Sequence, residues 1–414
     1  MAIHGEITPP PDKSISHRSF MFGALAEGTT IVRNALESDD IRSTRDALSA
    51  LGVEIRRDGD AYLVEGSGMK EPGQVIDAGN SGTTARLMSG ILAGIDGIST
   101  MTGDRSLVRR PMARVIKPLE LMGARFMARS GGYLPMAVRG GRLKGIFHPM
   151  EVASAQVKSA LLLAGLRAEG TTTVNEPSLS RDHTERMLAY FGADLTINAK
   201  SVSLSGGQKL QARDITVPGD PSSAAFPVVW AAATPGSEII VRNVCLNPTR
   251  TGFLPVLERM GASISIVNCT DRAGEPVGDL VIRGTELQGT SITGEEVPTL
   301  IDEIPILVIA AALASGTTVV TDARELRVKE TDRIAAMVKG LTMLGAEVEE
   351  LEDGLVIKGT ARLTGGNIST FSDHRIAMSF FILARARNIE VGLDDISCVN
   401  ISYPGFFSDM GTFR

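Results

Sequence analysis

Six times along the 414-residue chain, a hydrophobic residue and a glycine close a segment with helical apolar spacing. The endings are Leu51-Gly52-Val53, Met122-Gly123-Ala124, Phe191-Gly192-Ala193, Met260-Gly261-Ala262, Leu344-Gly345-Ala346 and Met410-Gly411-Thr412. Residues 184–191 and 331–344 illustrate the helical pattern, and five of the six endings run on into alternation such as Ala193-Asp194-Leu195-Thr196-Ile197. A helix stopped by a C-terminal glycine and followed by a strand accounts for both. Upstream, in three of the repeats, a second apolar segment leads into Gly-Thr-Thr, at Gly28-Thr29-Thr30, Gly170-Thr171-Thr172 and Gly316-Thr317-Thr318. The repeating unit is about 70 residues of mixed helix and strand, longer than the 20 to 50 residues of common solenoid repeats. A chain of this length also exceeds the roughly 250–300 residues at which one core stops growing. The expectation is therefore an α/β protein of two domains with three units each, buried helices and sheets outside, because the helices look apolar on much of their surface. The boundary is expected near Val217-Pro218-Gly219, between the third and fourth copies.

Composition removes several classes of function. Hydrophobic residues make up 43% and charged residues 22%, ordinary usage for a chain with a large core. The longest apolar stretch, residues 304–315, contains Pro305 and falls short of the roughly 20 residues that cross a bilayer. It predicts a buried helix and no membrane partner. Met1-Ala2-Ile3-His4-Gly5-Glu6 carries no leader pattern, so a cytoplasmic location is expected. Cys245, Cys269 and Cys398 are far apart, and His4, His148 and His183 lack ligand spacing. No metal site, disulfide framework or cofactor is predicted. A net charge of −6, with only Trp230 and four tyrosines for stacking, argues against nucleic acid.

What remains is a set of polar islands, each open to two readings. Pro9-Pro10-Pro11-Asp12-Lys13-Ser14-Ile15-Ser16-His17-Arg18 is a stiff turn opening a helix: either an anion site at its N-terminus or a cap beside exposed charge. Gly79-Asn80-Ser81-Gly82-Thr83-Thr84-Ala85-Arg86-Leu87 also enters a helix, as a ligand-approach loop or a tight turn. Gly103-Asp104-Arg105-Ser106-Leu107-Val108-Arg109-Arg110-Pro111-Met112 sets arginines before a Pro-started helix, functional or merely solvated. Arg324-Glu325-Leu326-Arg327-Val328-Lys329-Glu330-Thr331-Asp332-Arg333 is a salt-bridged surface helix or a cation beside a proton-transfer group at a helix entrance. Asp302-Glu303, Asp373-His374-Arg375 and Ser154-Ala155-Gln156-Val157-Lys158 complete the set. For His17 and His374, a site role and a structural role stand side by side.

In order along the whole chain, these islands resemble the EPSP synthase family of enolpyruvyl transferases. Gly103-Asp104-Arg105-Ser106, Ser154-Ala155-Gln156-Val157-Lys158, Arg181-Asp182-His183-Thr184-Glu185 and Asn247-Pro248-Thr249-Arg250 point to its class II branch. The resemblance implies two domains of three βαβαββ units each, an inside-out α/β barrel or prism, with the active site in the cleft. One domain would span residues 12–217 and the other residues 1–11 with 218–414. It implies transfer of the enolpyruvyl group of phosphoenolpyruvate to the 5-hydroxyl of shikimate 3-phosphate, with release of phosphate and closure of the two lobes on ligand. Both substrates are anions, which suits clustered lysine and arginine in an acidic chain.

Carried over by position, Lys13, Ser14, Arg18, Ser154, Ala155, Gln156, Ser180, Arg181, Asp302 and Lys329 would hold shikimate 3-phosphate. Lys13, Asn80, Gly82, Arg110, Gln156, Arg333 and Arg375 would hold phosphoenolpyruvate. Asp302 would be the base for the attacking hydroxyl, and Glu330 with Lys13 would move the proton of the vinyl carbon. A monomer is the family default, and sensitivity to glyphosate stays open: Gly82, in place of the alanine of strongly tolerant class II members, leaves room for the inhibitor, while other class II features favour tolerance. Ile401 and Glu325 stand where class I members carry a lysine and an asparagine, so those two contacts are not carried over. The sister transferase acting on UDP-N-acetylglucosamine shares the repeats, but its loop cysteine has no counterpart from Gly103 to Arg110. A noncatalytic polyanion-binding repeat protein is the alternative from another class.

Overall fold

The repeat seen in the sequence folds as strand, helix, strand, helix and a two-stranded hairpin. The computed structural model describes residues 2–66, 68–360 and 362–413. The chain divides into one unit of Pro11–Val217 with Arg272–Glu275, and another of Met1–Pro10, Pro218–Asp271 and Pro276–Arg414.

Each complete repeat forms one four-stranded sheet with the same strand order. In the first unit, Ile76–Asp77 runs parallel to Gly97–Thr102, which pairs antiparallel with Tyr133–Gly140 and through it with Arg125–Arg129. Phe147–Pro149, Thr171–Asn175, Ser201–Ser205 and Leu195–Asn198 repeat the arrangement. In the remaining sheet the leading strand is borrowed from far along the chain: Asp214–Thr216 lies parallel to Ala26–Arg33, which pairs with Ala61–Gly66 and so with Ile55–Asp58. The second unit does the same with its first sheet. His4–Ile7 lies parallel to Glu238–Cys245, followed by Glu275–Arg283 and Ser263–Arg272. Ser291–Ile292, Thr317–Val320, Leu355–Lys358 and Glu347–Glu350 form the next.

The sixth repeat differs from the expected βαβαββ pattern. Gly366–Ile368 pairs with Val391–Leu393, and the short helix Phe406–Met410 follows with no hairpin strands among the described residues. The glycines record the same break. Gly52, Gly123, Gly192, Gly261 and Gly345 have φ between 86° and 116°, the left-handed region in which a helix reverses into the next strand. Gly411, with no strand to lead into, has φ −72°.

The first helix of each repeat is the buried one: Lys13–Leu25, Gly82–Ala93 and Ala155–Gly165 in the first unit, Pro221–Ala232, Ile304–Leu313 and His374–Arg387 in the second. Every residue from Ile304 to Ala312 is buried, as expected for the long apolar stretch. The second helices, such as Asp39–Ala50, bury one stripe only, and outer strands such as Arg125–Arg129 face solvent. Gly82–Ala93 and Ala155–Gly165 pack so closely that a Cβ on Gly90 would lie 2.1 Å from the Ala160 carbonyl oxygen, so only glycine fits there. None of the described helices is long and apolar enough to cross a membrane.

Candidate functional site

In the Pro11–Val217 unit, three of the sequence islands are the first turns of the three buried helices. Each helix is capped by its own side chain: Asp12 accepts from Ile15 N at 2.7 Å, Ser81 from Thr84 N at 3.1 Å and Ser154 from Val157 N at 3.4 Å. Lys13, Ser14, Gly82, Ala155 and Gln156 therefore share helix N-termini, where partial positive charge favours anions. Side chains tie the turns to one another. The Gln156 amide donates to Thr83 Oγ1 at 3.1 Å, and its oxygen accepts from Arg86 Nη1 at 2.9 Å. Arg18, 3% exposed, donates to Thr184 Oγ1 at 2.8 Å, Ser159 Oγ at 2.9 Å and the Ser14 carbonyl at 3.0 Å. Lys13 Nζ meets the buried Asp40 at 3.1 Å.

His17 is fully buried behind these turns. Its Nδ1 lies 2.6 Å from Thr44 Oγ1, which is 2.7 Å from Thr84 Oγ1, and Thr84 in turn bonds the cap Ser81. Burial, then the charges of Lys13 and Arg18, hold its imidazole well below the ordinary histidine range. His17 is thus a neutral strut linking helices rather than a further cation.

A second set of contacts joins two loops. Arg110 Nη2 donates to Asn80 Oδ1 at 2.8 Å and Ser106 Oγ at 3.1 Å, while Asn80 Nδ2 donates to Asp104 Oδ2 at 2.6 Å. Gly82 sits under both guanidinium groups: an added Cβ would lie 2.6 Å from Arg86 Nη1 and 3.4 Å from Arg110 Nη1. The helix expected to start at Pro111 begins at Ala113 instead, after the 3-10 turn Leu107–Arg109. The extra turn is stabilised by Asp104 Oδ1, which accepts from Ser106 N and Leu107 N.

Ser180 and Arg181 belong to the loop before the helix His183–Tyr190. The Ser180 hydroxyl donates to Glu176, so its one proton is spent inside the protein and toward a ligand it is an acceptor. Glu176 and Glu185 both lie 2.6 Å from the buried ammonium of Lys158. Burial works against that charge, yet the two carboxylates outweigh it and hold Lys158 above the usual lysine range. Arg181, next in the chain to Ser180, is partly buried.

In the other unit, the site candidates gather on Arg333, which is 1% exposed. Its Nε donates to Asp373 at 2.8 Å, Nη1 to Asp302 Oδ1 at 3.2 Å and Nη2 to Glu330 at 2.6 Å. Burial opposes its charge, but Asp373, Glu330 and Asp302 together push the guanidinium above its already high range. Lys329 Nζ reaches the same Asp302 oxygen at 3.3 Å. Arg375 Nη1 donates to the Asp302 carbonyl at 2.7 Å and lies 3.5 Å from Glu303. The segment around Lys329 is not a surface helix throughout: Arg324–Val328 is a 3-10 turn, and the helix Arg333–Met343 starts only after the cap Asp332. Lys329 and Glu330 thus hang from an extended turn, aimed by Arg333 and Asp302.

The model of the EPSP synthase family, 3-phosphoshikimate 1-carboxyvinyltransferase, matches residues 1–410. The chain belongs to the EPSP synthase family. A 3-phosphoshikimate 1-carboxyvinyltransferase of Pelobacter propionicus is 50% identical to it over 417 residues, covering 100% of this chain and 97% of the relative. One from a Synechococcus strain is 52% identical over 412 residues, covering 98% and 93%. Among solved structures, an EPSP synthase from Acinetobacter baumannii is similar at a TM-score of 0.88 and 44% identity, covering 100% of this chain and 97% of that one. The inside-out α/β architecture of the family agrees with the buried first helices and outer sheets described above.

Beside the family positions stand residues that sequence reasoning did not select. Arg86 holds Gln156, Asp40 holds Lys13, Ser159 and Thr184 hold Arg18, and Asp373 holds Arg333. Asp373 and Arg86 lay inside quoted motifs, whereas Asp40 in Asp39-Asp40 reads only as helix-start acidity. Ser159 carries no signal, being one small residue on an apolar helix. Among the described residues, no cluster of three or more His, Cys, Asp or Glu side chains is placed to hold a metal. Burial, then Asp395, pushes the Cys398 thiol up to about 12, which makes it inert as a nucleophile.

Proposed function

We propose that this chain transfers the enolpyruvyl group of phosphoenolpyruvate to the 5-hydroxyl of shikimate 3-phosphate, giving 5-enolpyruvylshikimate 3-phosphate and inorganic phosphate, as a cytoplasmic monomer. The observation that carries this reading is the group around Arg333: two carboxylates suited to proton transfer, Asp302 and Glu330, held by one buried guanidinium with Lys329 on the same Asp302 oxygen. A mere polyanion binder has no use for acids in that position.

In this mechanism Lys13, Ser14, Arg18, Ser154, Ala155, Gln156, Ser180, Arg181 and Lys329 hold shikimate 3-phosphate, and Lys13, Asn80, Gly82, Arg110, Gln156, Arg333 and Arg375 hold phosphoenolpyruvate. Asp302 takes the proton of the 5-hydroxyl as its oxygen bonds to C2 of phosphoenolpyruvate, while Glu330, assisted by Lys13, protonates C3. The tetrahedral adduct then returns a C3 proton to Glu330, the C2–O bond to phosphate breaks, and phosphate leaves. General acid and base groups contribute roughly 10² to 10⁴ each, so orientation of two anions and stabilisation of charge must supply much of the rate.

Purified protein with both substrates and EDTA is expected to release phosphate, with no release when either substrate is omitted. Absence of turnover with both present refutes the enzyme reading and leaves binding alone.

A further inference from the structure

The acid next to Asp302 has no part in the mechanism above, yet it is one of the most completely buried charges in the protein. Glu303 is 0% exposed and is the residue before the apolar helix Ile304–Leu313. Its Oε1 accepts from Ser222 Oγ and faces Arg375 Nη1 at 3.5 Å, while Oε2 has no hydrogen-bond partner. A buried carboxylate is costly unless a cation answers it, and here Arg375 answers it.

Ser222 is held in turn. Arg250, 1% exposed, donates through Nη2 to Ser222 Oγ at 2.8 Å and to Asp220 Oδ1 at 2.9 Å. Asp220 is the cap of the helix Pro221–Ala232, accepting from Ser222 N at 2.8 Å. The segment Asn247-Pro248-Thr249-Arg250, which marks the class II branch in the sequence, thus ends in a side chain that anchors the partner of Arg375. The chain of contacts runs Arg250, Ser222, Glu303, Arg375.

The two arginines of this cluster differ in what they leave over. All three nitrogens of Arg333 are engaged by carboxylates. Arg375 commits only Nη1, to the Asp302 carbonyl and Glu303. Its Nε and Nη2 donate to no partner among the described residues and are not sealed from solvent. Those two N–H groups form one edge of the guanidinium fork, the geometry that takes a carboxylate or phosphate in two parallel bonds. Fixing Nη1 from behind is what leaves that edge presented.

We propose that Glu303 is a positioning residue for phosphoenolpyruvate binding: anchored by Ser222 and Arg250, it holds Nη1 of Arg375 so that the Nε–Nη2 edge meets the anion. Glu303 itself touches no substrate. This inference rests on the function proposed above.

The test is steady-state kinetics of Glu303→Gln, Ser222→Ala, Arg375→Ala and the double variant Glu303→Gln/Arg375→Ala, with urea unfolding of each. Glu303→Gln keeps the shape and removes the charge. It is expected to raise KM for phosphoenolpyruvate about tenfold, the loss of one charge-assisted contact, with kcat and the KM for shikimate 3-phosphate within about twofold. Ser222→Ala is expected to move the same constant in the same direction by less. In the Arg375→Ala background, Glu303→Gln should add nothing, because the group it orients is gone. A rise in both KM values together, an equal fall in kcat with unchanged KM, or a full additional loss in the Arg375→Ala background overturns the proposal. Should Glu303→Gln not fold, Ser222→Ala and its combination with Arg375→Ala decide by the same criteria. A wild-type chain without phosphate release overturns the function and this inference together, whereas turnover with an unmoved phosphoenolpyruvate KM overturns this inference alone.

Discussion

In the contacts described above, Arg18, Arg86 and Arg110 of the Pro11–Val217 unit meet neutral groups, and the candidate cations of the other unit meet acids. Arg18 meets two hydroxyls and a carbonyl, Arg110 an amide, a hydroxyl and a carbonyl, and Arg86 an amide and two carbonyls. Lys13, which meets Asp40, is the exception. Arg333, Lys329 and Arg375, in contrast, are held by Asp302, Glu303, Glu330 and Asp373. A cation fixed by a hydroxyl keeps its full charge for a ligand carrying about two negative charges. Arg333, with all three nitrogens on carboxylates, aims Asp302 and Glu330 for proton transfer, while Arg375 keeps its Nε–Nη2 edge for an anion. The first arrangement suits binding, and the second combines binding with proton transfer.

The largest expected effect comes from the acid-held side. Glu330→Ala should lower kcat by about 10² to 10⁴ while both substrates still bind and the unfolding midpoint stays close to wild type. If kcat holds and only KM rises, the division of labour between the units is wrong.

On the neutral-held side, Gly82→Ala should act through binding instead. The new methyl displaces the Arg86 and Arg110 guanidinium tips, and losing one such contact corresponds to about a tenfold weaker affinity for phosphoenolpyruvate. Calorimetry with phosphoenolpyruvate and shikimate 3-phosphate reads it, and an unchanged dissociation constant would show that the pocket floor tolerates a Cβ.

The smallest effect concerns the strut behind that floor. Burial holds the His17 imidazole neutral well below the ordinary histidine range, so below about pH 6.5 the unfolded chain takes up a proton that the folded chain refuses. Stability is full above that pH and falls beneath it by up to about 1.4 kcal/mol per pH unit. His17→Asn should flatten the decline between pH 7.5 and 5.5 in urea unfolding. An equally steep decline in the variant would place the acid sensitivity elsewhere.

The sequence carried the repeats because a left-handed glycine and a period of about 70 residues survive divergence in everything between them. It carried the charged motif residues for a similar reason: Lys13, Arg110, Glu330 and Arg375 sit in short polar segments against an apolar background. It could not show the sixth repeat stopping after its second helix as anything but a missing alternation. Nor could it reveal the supports. Ser159 and Ser222 are small hydroxyl residues with no pattern of their own, and what makes them matter is a partner between 25 and 141 positions away. Glu303 was visible only as the neighbour of Asp302, and its burial depends on how the helix after it is packed.

The strand His4–Ile7 has a consequence for how the protein is made. It leaves the ribosome long before its parallel partner, Glu238–Cys245. At synthesis rates of about 5–20 residues per second, it waits roughly ten seconds or more without a ladder to join. In that interval residues 12–217 emerge and, once Asp214–Thr216 arrives, complete every sheet of their own unit. Carrying residues 1–11 after Arg414 instead would let this strand emerge when its partner already exists.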